Sequence, residues 1–376
     1  MKNFILIPDS FKGTMSSNEI CNIMKSEIEK QFINANIKSV PIADGGEGTV
    51  EAILEAVGGE KIYLKVKGPY FENITSFYGI LPDKTAVIEM AAAAGLPLVK
   101  NKLQAEKTTT YGVGELIVDA INRGCKKILL GLGGSATNDG GCGMAAALGV
   151  IFKDKNGENF IPVGESLSKI DSIDNTLFVK KYNDVDFFAM CDINNPLCGK
   201  QGAAYVFAPQ KGADKNMVEF LDRGLAHLAI IINRDLKKDI MNLPGGGAAG
   251  GMGAGMVGFM NAKLESGINF ILKLVDFEKL VQTADYIFTG EGKIDSQSLR
   301  GKTIMGIANY TKKYNIPLIA VVGCIGDNID EAYNIGVSSI FSINTQAMAF
   351  SESARYSKTN LSITMNNILR LIKMNK

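Results

Sequence analysis

The residues best suited to chemistry are acids and lysines set among glycines. Asp9-Ser10-Phe11-Lys12-Gly13 follows the apolar run Phe4–Pro8, Asp44-Gly45-Gly46-Glu47-Gly48 follows a second such run, and Gly290-Glu291-Gly292-Lys293-Ile294-Asp295 follows a third late in the chain. Two further glycine-rich stretches are Gly131–Gly143, which reads GLGGSATNDGGCG, and Gly245–Gly258. Glycine lets backbone N–H groups curl round an anion, and a following helix N-terminus adds a favourable field. Carboxylates beside phosphate-seeking amides make sense if a divalent cation sits among them, because Mg²⁺ bridges carboxylate and phosphate oxygens. In an open parallel sheet, ligands bind outside the carboxyl ends of the strands. The three acid-bearing turns are therefore expected at one such edge, bringing Asp9, Asp44, Glu47, Glu291 and Asp295 together with Lys12, Lys293 and Lys302. For any single acid in the set, the plainer role is a helix N-cap.

Other chemistries are excluded by what is scarce. The single histidine, His227, lies in the apolar run GLAHLAII and reads as a satisfied, partly buried helix residue. Ser-His-Asp and Cys-His hydrolysis then lack a base, and His-rich metal sites are impossible. The six cysteines form no C-x-x-C pair, which disfavours structural zinc and suits a reducing cytoplasm. A net charge of +1 offers no basic face for nucleic acid or an anionic membrane. Met241–Ala262 is uncharged, but 8 of its 22 residues are glycine. That composition suits a loop leading into a helix better than a membrane span. Gly131–Ala136 fits G-x-G-x-x-A, yet Thr137–Gly141 prolongs the loop where a dinucleotide fingerprint needs a helix. Gly301-Lys302-Thr303 resembles a P-loop tail, but its leading glycine would fall at Ser296.

The elements that must position these residues follow from periodicity. The chain has 376 residues, 46% apolar and 21% charged, which suits a globular protein of two or three domains. FILIPDS reads as a buried strand. SSNEICNIMKSEIEKQF follows as a helix with Ile20, Ile23, Met24 and Ile28 on one face. SVPIAD reads as a second strand, and a helix runs from Thr49 to about Ala56. This strand–helix alternation is that of a parallel sheet. EKIYLKVKGP and NITSFYGILPDKTAVIEMA look antiparallel, and KKILLGL and VDFFAMCD read as later strands. ADYIFTGEG, IPLIAVVGC and VSSIFSIN then return to the parallel style. The predicted fold is α/β: a flavodoxin-like doubly wound parallel sheet from residues 1–60 and 263–376, with a second, mixed-sheet α/β domain, 61–262, inserted into it.

Taken in order, DSFKG, ADGGEGT, GLGGSATNDGGCGM, CDINNPLCGKQGA, FAPQKGA, LPGGGAAGGMGAG and GEGKIDSQSLRGK resemble the bacterial type-1 glycerate kinases over nearly the whole chain. The resemblance implies phosphoryl transfer from ATP to D-glycerate with Mg²⁺, forming 2-phosphoglycerate, although many members are labelled as 3-phosphoglycerate producers. It also implies two unlike α/β domains. Phosphoryl transfer needs positioning and charge stabilisation rather than a histidine. Asp192 and Lys12 are then the catalytic candidates, Asp192 accepting the glycerate proton or holding Mg²⁺. Gly45, Gly46, Gly133, Gly134, Ser135, Thr137 and Lys302 are candidates for ATP phosphates. Asp9, Ser10, Asn195 and Arg300 are candidates for glycerate, and Asp44, Glu47, Glu291 and Asp295 for the metal. Partners are small molecules, with no nucleic acid or membrane, and a homodimer is left open. The alternatives are a kinase of another hydroxy or sugar acid, a non-catalytic nucleotide-binding regulator, and a dinucleotide-dependent oxidoreductase.

Overall fold

A computed structural model describes residues 1–11, 13–42, 45–100, 102–295 and 303–374. The chain divides into two compact units. The first comprises 1–43, 55–57 and 267–376, and the second 44–54 and 58–266. The strands of the two main sheets are β1 (Asn3–Pro8), β2 (Asn36–Ser39), β3 (Glu60–Lys67), β4 (Asn73–Ile80), β5 (Thr85–Glu89), β6 (Lys127–Gly131), β7 (Asp186–Met190), β8 (Lys263–Glu265), β9 (Tyr286–Gly290), β10 (Leu318–Val322) and β11 (Ser339–Ser342).

The first unit carries a five-stranded sheet in the order β11-β10-β9-β1-β2, parallel throughout. Counted within the unit, that order is the 2-1-3-4-5 of flavodoxin-like folds. Strand β10, Leu318–Val322, is buried along its whole length, as an inner strand covered on both faces must be. Helix α1 (Ser17–Gln31) starts where its sequence says it should. The Ser16 hydroxyl accepts the Glu19 N–H at 3.2 Å, and the Glu19 carboxylate accepts the Ser16 N–H at 2.9 Å. This reciprocal cap satisfies two donors that the first turn leaves open. Its buried stripe, Ile20, Met24 and Ile28, shares one apolar cluster with Leu361, Met365, Ile368 and Leu369 of the C-terminal helix Ser357–Met374.

The second strand departs from prediction. The ladder forms over Asn36–Ser39 rather than over SVPIAD. Pairing nevertheless continues, with the Val40 and Ile42 amides donating to Leu6 and Pro8 carbonyls at 2.7 and 3.2 Å. Pro41 falls between two bonded amides and has no N–H to offer, a position that an edge strand tolerates.

The second unit carries a six-stranded mixed sheet, β8-β7-β6-β5-β4-β3. Strands β3, β4 and β5 form an antiparallel meander, and β5 to β8 are parallel. Helix Lys215–Leu236 buries Val218, Leu221, Leu225, Leu228 and Ile232 at helical spacing in this unit's core. It also carries His227, whose Nε2 lies 2.7 Å from the Ile170 carbonyl oxygen, as expected of a satisfied helix histidine. No helix among the described residues is long and apolar enough to cross a membrane.

The acid-bearing turn 44–48 leaves the carboxyl end of β2, in the same parallel sheet as β1 and β9, but is grouped with the second unit. Its described glycines pack with the second unit, whereas the Asp9 and Glu291 turns belong to the first. Helix α2 (Thr49–Val57) follows this turn, and Gly48 at its N-cap has no side chain to close it. Glu89, at the end of β5, takes that role: its carboxylate accepts the Val50 N–H at 2.7 Å. Glu89 is 2% exposed, and burial pushes its carboxyl up to about 7, with the Val50 hydrogen bond opposing.

This shift fixes the sign of a pH effect. A carboxyl whose folded value lies above its ordinary 4.5 makes ionisation costly to folding. The cost is absent below about pH 4.5 and complete above about pH 7, where it reaches about 3 kcal/mol. Glu89→Gln keeps an acceptor for Val50 and has no charge to bury. Thermal unfolding of both proteins should show the parent losing stability relative to the variant as pH rises from about 4.5 to about 7. Parallel curves would rule the effect out.

Candidate active site

The second unit gathers its chemistry at the carboxyl ends of β5, β6 and β7, where Glu89 and Met190 both register with Gly131. The chain leaves β6 as Gly131-Leu132-Gly133-Gly134-Ser135, and the Gly45–Gly46 turn lies against it. The Gly133 N–H donates to the Gly45 carbonyl at 2.8 Å. A Cβ on Gly131 would stand 2.4 Å from the Gly45 carbonyl oxygen, and one on Gly133 would stand 2.5 Å from the Gly46 Cα. No side chain fits either place, so glycine is required for backbone to meet backbone. Gly134 turns at φ +73° and is exposed. Glu47 belongs to the same corner, its Oε1 3.9 Å from where a Gly134 Cβ would be.

Beyond Gly134 the turn is tied down on the inside. The Ala136 amide donates to the Ala94 carbonyl at 2.9 Å, and the Leu96 amide to the Gly134 carbonyl at 2.9 Å. The Ser135 and Thr137 hydroxyls are 3.1 Å apart, and the Thr137 N–H donates to the Ser135 Oγ at 3.1 Å. Asp139, fully buried, accepts from the Thr110 amide and hydroxyl and from the amides of Gly141 and Gly143. Burial raises its carboxyl pKa, and these bonds oppose the rise. Asp139 is thereby a knot between the turn and the helix Tyr111–Asn122. Neighbouring Asn138 is fully buried, and neither polar atom of its amide has a hydrogen-bond partner among the described residues.

The glycines of Gly245–Gly258 serve packing rather than an open anion nest. Ala249, Gly250 and Gly251 are left-handed inside the helix Ala248–Met260, and a Gly250 Cβ would stand 2.0 Å from the Thr137 carbonyl oxygen. This stretch is the buried wall behind the Thr137–Gly141 loop.

Asp192 follows β7 by two residues and is exposed; Met190, which ends β7, has its carbonyl oxygen 3.2 Å from where a Gly45 Cβ would lie. Asn195, in the next loop, spends its amide locally, its Nδ2 donating to the Gln201 carbonyl at 2.8 Å. In the first unit, Asp9, Ser10 and Glu291 line one cavity of about 500 Å³ with Lys293, Asn344 and Ser357. It lies at the carboxyl ends of β1 and β9 to β11. The Asp9 N–H donates to the Gly290 carbonyl at 2.8 Å, which joins the two acid-bearing turns. Asp295 forms an ion pair with Lys293 at 2.9 Å.

The structure thus groups Gly45, Gly46, Glu47, Gly133, Gly134, Ser135, Thr137 and Asp192 in one unit, and Asp9, Ser10, Glu291 and Asp295 in the other. Lys12, Asp44, Arg300 and Lys302 lie outside the described residues. Among the described residues no three His, Cys, Asp or Glu side chains converge on a point that would hold a metal ion. Two buried charged residues of the second unit, Glu89 and Lys211, escape sequence reasoning. An acid closing the apolar strand run TAVIE and a lysine in APQKGA were the available signals.

Comparison with known proteins agrees with this architecture. The sequence profile of the glycerate kinase family matches residues 4–373. Glycerate kinase of Halalkalibacterium halodurans is 40% identical, with both chains covered in full. Glycerate 2-kinase of Escherichia coli K12 is 40% identical over 97% of this chain and 96% of its own. A crystal structure from Salmonella typhimurium LT2, of a protein assigned as a glycerate kinase 2, superposes with a TM-score of 0.87 at 38% identity. It covers 100% of this chain and 99% of that one. Likeness of this extent, in sequence and in fold, places the chain in the glycerate kinase family.

Proposed function

We propose that this kinase transfers the γ-phosphoryl group of ATP to the 2-hydroxyl of D-glycerate, forming 2-phosphoglycerate and ADP. Family membership supports the reaction class, and the name of the E. coli relative, glycerate 2-kinase, supports the 2-position. The observation that carries the nucleotide assignment is the turn Gly131–Thr137, an exposed left-handed bend held rigid from its buried side at the carboxyl ends of parallel strands.

In this reading, Gly133, Gly134, Ser135 and Thr137, with Gly45 and Gly46, hold the phosphates. Asp192 takes the proton from the glycerate hydroxyl as its oxygen bonds to the γ-phosphorus. The bond from that phosphorus to the bridging oxygen breaks, and ADP leaves with the electron pair. Asp9, Ser10, Asn195 and Arg300 are assigned to glycerate, and Lys12 and Lys302 to its charge or that of the phosphates.

The residues present fit Mg²⁺ in one particular way. Mg²⁺ commonly uses one or two carboxylates together with substrate phosphates rather than an all-protein cage, and no such cage is found among the described residues. Asp44, Glu47, Glu291 and Asp295 are the assigned donors, and the ion would neutralise phosphate charge.

Three measurements test this. Gly134→Asp adds negative charge at an exposed position, and the strain of a Cβ there, 3.1 Å from the Ala91 Cβ, is shared by Gly134→Asn, so the pair isolates the charge. It should raise the KM for ATP about tenfold or more, while the neutral isostere Gly134→Asn changes it by less than about threefold. Equal KM values in the two variants would refute phosphate binding at this turn. Asp192→Asn should lower kcat by roughly 10²–10⁴ with little change in the KM for ATP. Retention of more than about a tenth of kcat would remove the base role. Coupling the reaction to enolase alone should yield phosphoenolpyruvate, since 2-phosphoglycerate is its direct substrate. A signal that requires added phosphoglycerate mutase would place the phosphate on the 3-position.

A further inference from the structure

We propose that Lys211 is a positioning residue for nucleotide binding: buried behind Ser135–Thr137, its ammonium holds the turn in shape and supplies the positive charge that the phosphates face across it. The proposal rests on the assignment of the nucleotide to this turn.

Lys211 ends the short 3₁₀ segment Pro209–Lys211 and is 2% exposed. Its Nζ donates to the Thr137 carbonyl at 2.6 Å and to the Ser135 Oγ at 3.2 Å. Both partners are neutral. They are also the two ends of the hydroxyl-bearing turn, so one buried amine fixes the spacing between them. Ser135 Oγ in turn accepts the Thr137 N–H, and the two hydroxyls touch. The lysine therefore sets the orientation of the groups assigned to phosphate.

Energetics argue that this lysine is more than packing. A buried cation with neutral partners is costly, and an apolar side chain of similar volume would fill the space at lower cost. The titratable group that acts on it is Asp139, whose charge favours the ammonium. Asp139 is engaged by Thr110, Gly141 and Gly143 and does not hydrogen-bond to the amine. Burial accordingly pulls the Lys211 amine down to about 7. A polyanion arriving on the far side of the turn would offset the cost and draw a proton onto Nζ.

Kinetics and calorimetry of the full chain test the proposal. Lys211→Met should raise the KM for ATP about tenfold or more and leave the KM for glycerate within about twofold. Titration of Mg-ATP at pH 7 in buffers of different ionisation enthalpy should show the parent taking up a fraction of a proton. Lys211→Arg, charged at every pH used, should bind without that uptake. An unchanged KM for ATP in Lys211→Met, equal increases in both KM values, or no proton uptake by the parent would overturn the proposal. If Lys211→Met does not fold, the uptake measurements on the parent and Lys211→Arg decide alone. Gly134→Asp separates the two levels of the argument. If it too leaves the KM for ATP unchanged, the phosphate assignment has failed. If it raises that KM while Lys211→Met does not, only the role of Lys211 falls.

Discussion

Two stretches of backbone meet at van der Waals distance where β6 ends, and the architecture of the second unit follows from that meeting. Gly45 and Gly46 lie directly on Gly131 and Gly133, joined by the Gly133 amide and the Gly45 carbonyl. Because a methyl group at Gly131 or Gly133 would collide with main-chain atoms, the contact cannot be relaxed by moving a side chain. It fixes where the turn after β6 begins, and so where the exposed Gly134 lies. Glu89 reinforces the arrangement from the neighbouring strand by holding the amide of Val50 just beyond the same glycines.

Behind this surface lies a set of buried polar groups whose cost is high and whose geometry is specific. Asp139 gathers donors from two segments, and Lys211 spans the ends of the Ser135–Thr137 turn. Glu89 supplies the acceptor that a glycine N-cap lacks. A turn bound only at its ends would adapt to water as readily as to phosphate. A turn pinned along its buried side presents its donors in one arrangement before the ligand arrives, which is the condition for electrostatic stabilisation without reorganisation.

Much of this was legible in the sequence. Continuous apolar runs such as LIAVV mark inner parallel strands, and the Ser16/Glu19 pair marks the start of α1. The 2-1-3-4-5 order and the mixed second sheet match what strand style predicts. The allegiance of the 44–48 turn was not legible. A glycine's purpose depends on the backbone it approaches, and Gly131 is remote in sequence from Gly45. The Gly245–Gly258 glycines mislead for the same reason, since their role is to let Thr137 and Gly140 come close. The burial of Asp139, Lys211 and Glu89 was not legible from TNDGG, APQKGA and TAVIE, because burial of a charge becomes visible only when the surrounding elements are assembled.

The most direct test is a crystal structure of the enzyme with magnesium and a non-hydrolysable ATP analogue. Phosphate oxygens are expected within hydrogen-bond distance of the Gly134 and Ser135 amides, the two in the turn not already given to the Gly45 and Ala94 carbonyls or the Ser135 hydroxyl, with Lys211 Nζ still on the Thr137 carbonyl behind them. Phosphates seated instead in the cavity lined by Asp9 and Glu291, with none against the Gly134 and Ser135 amides, would contradict this.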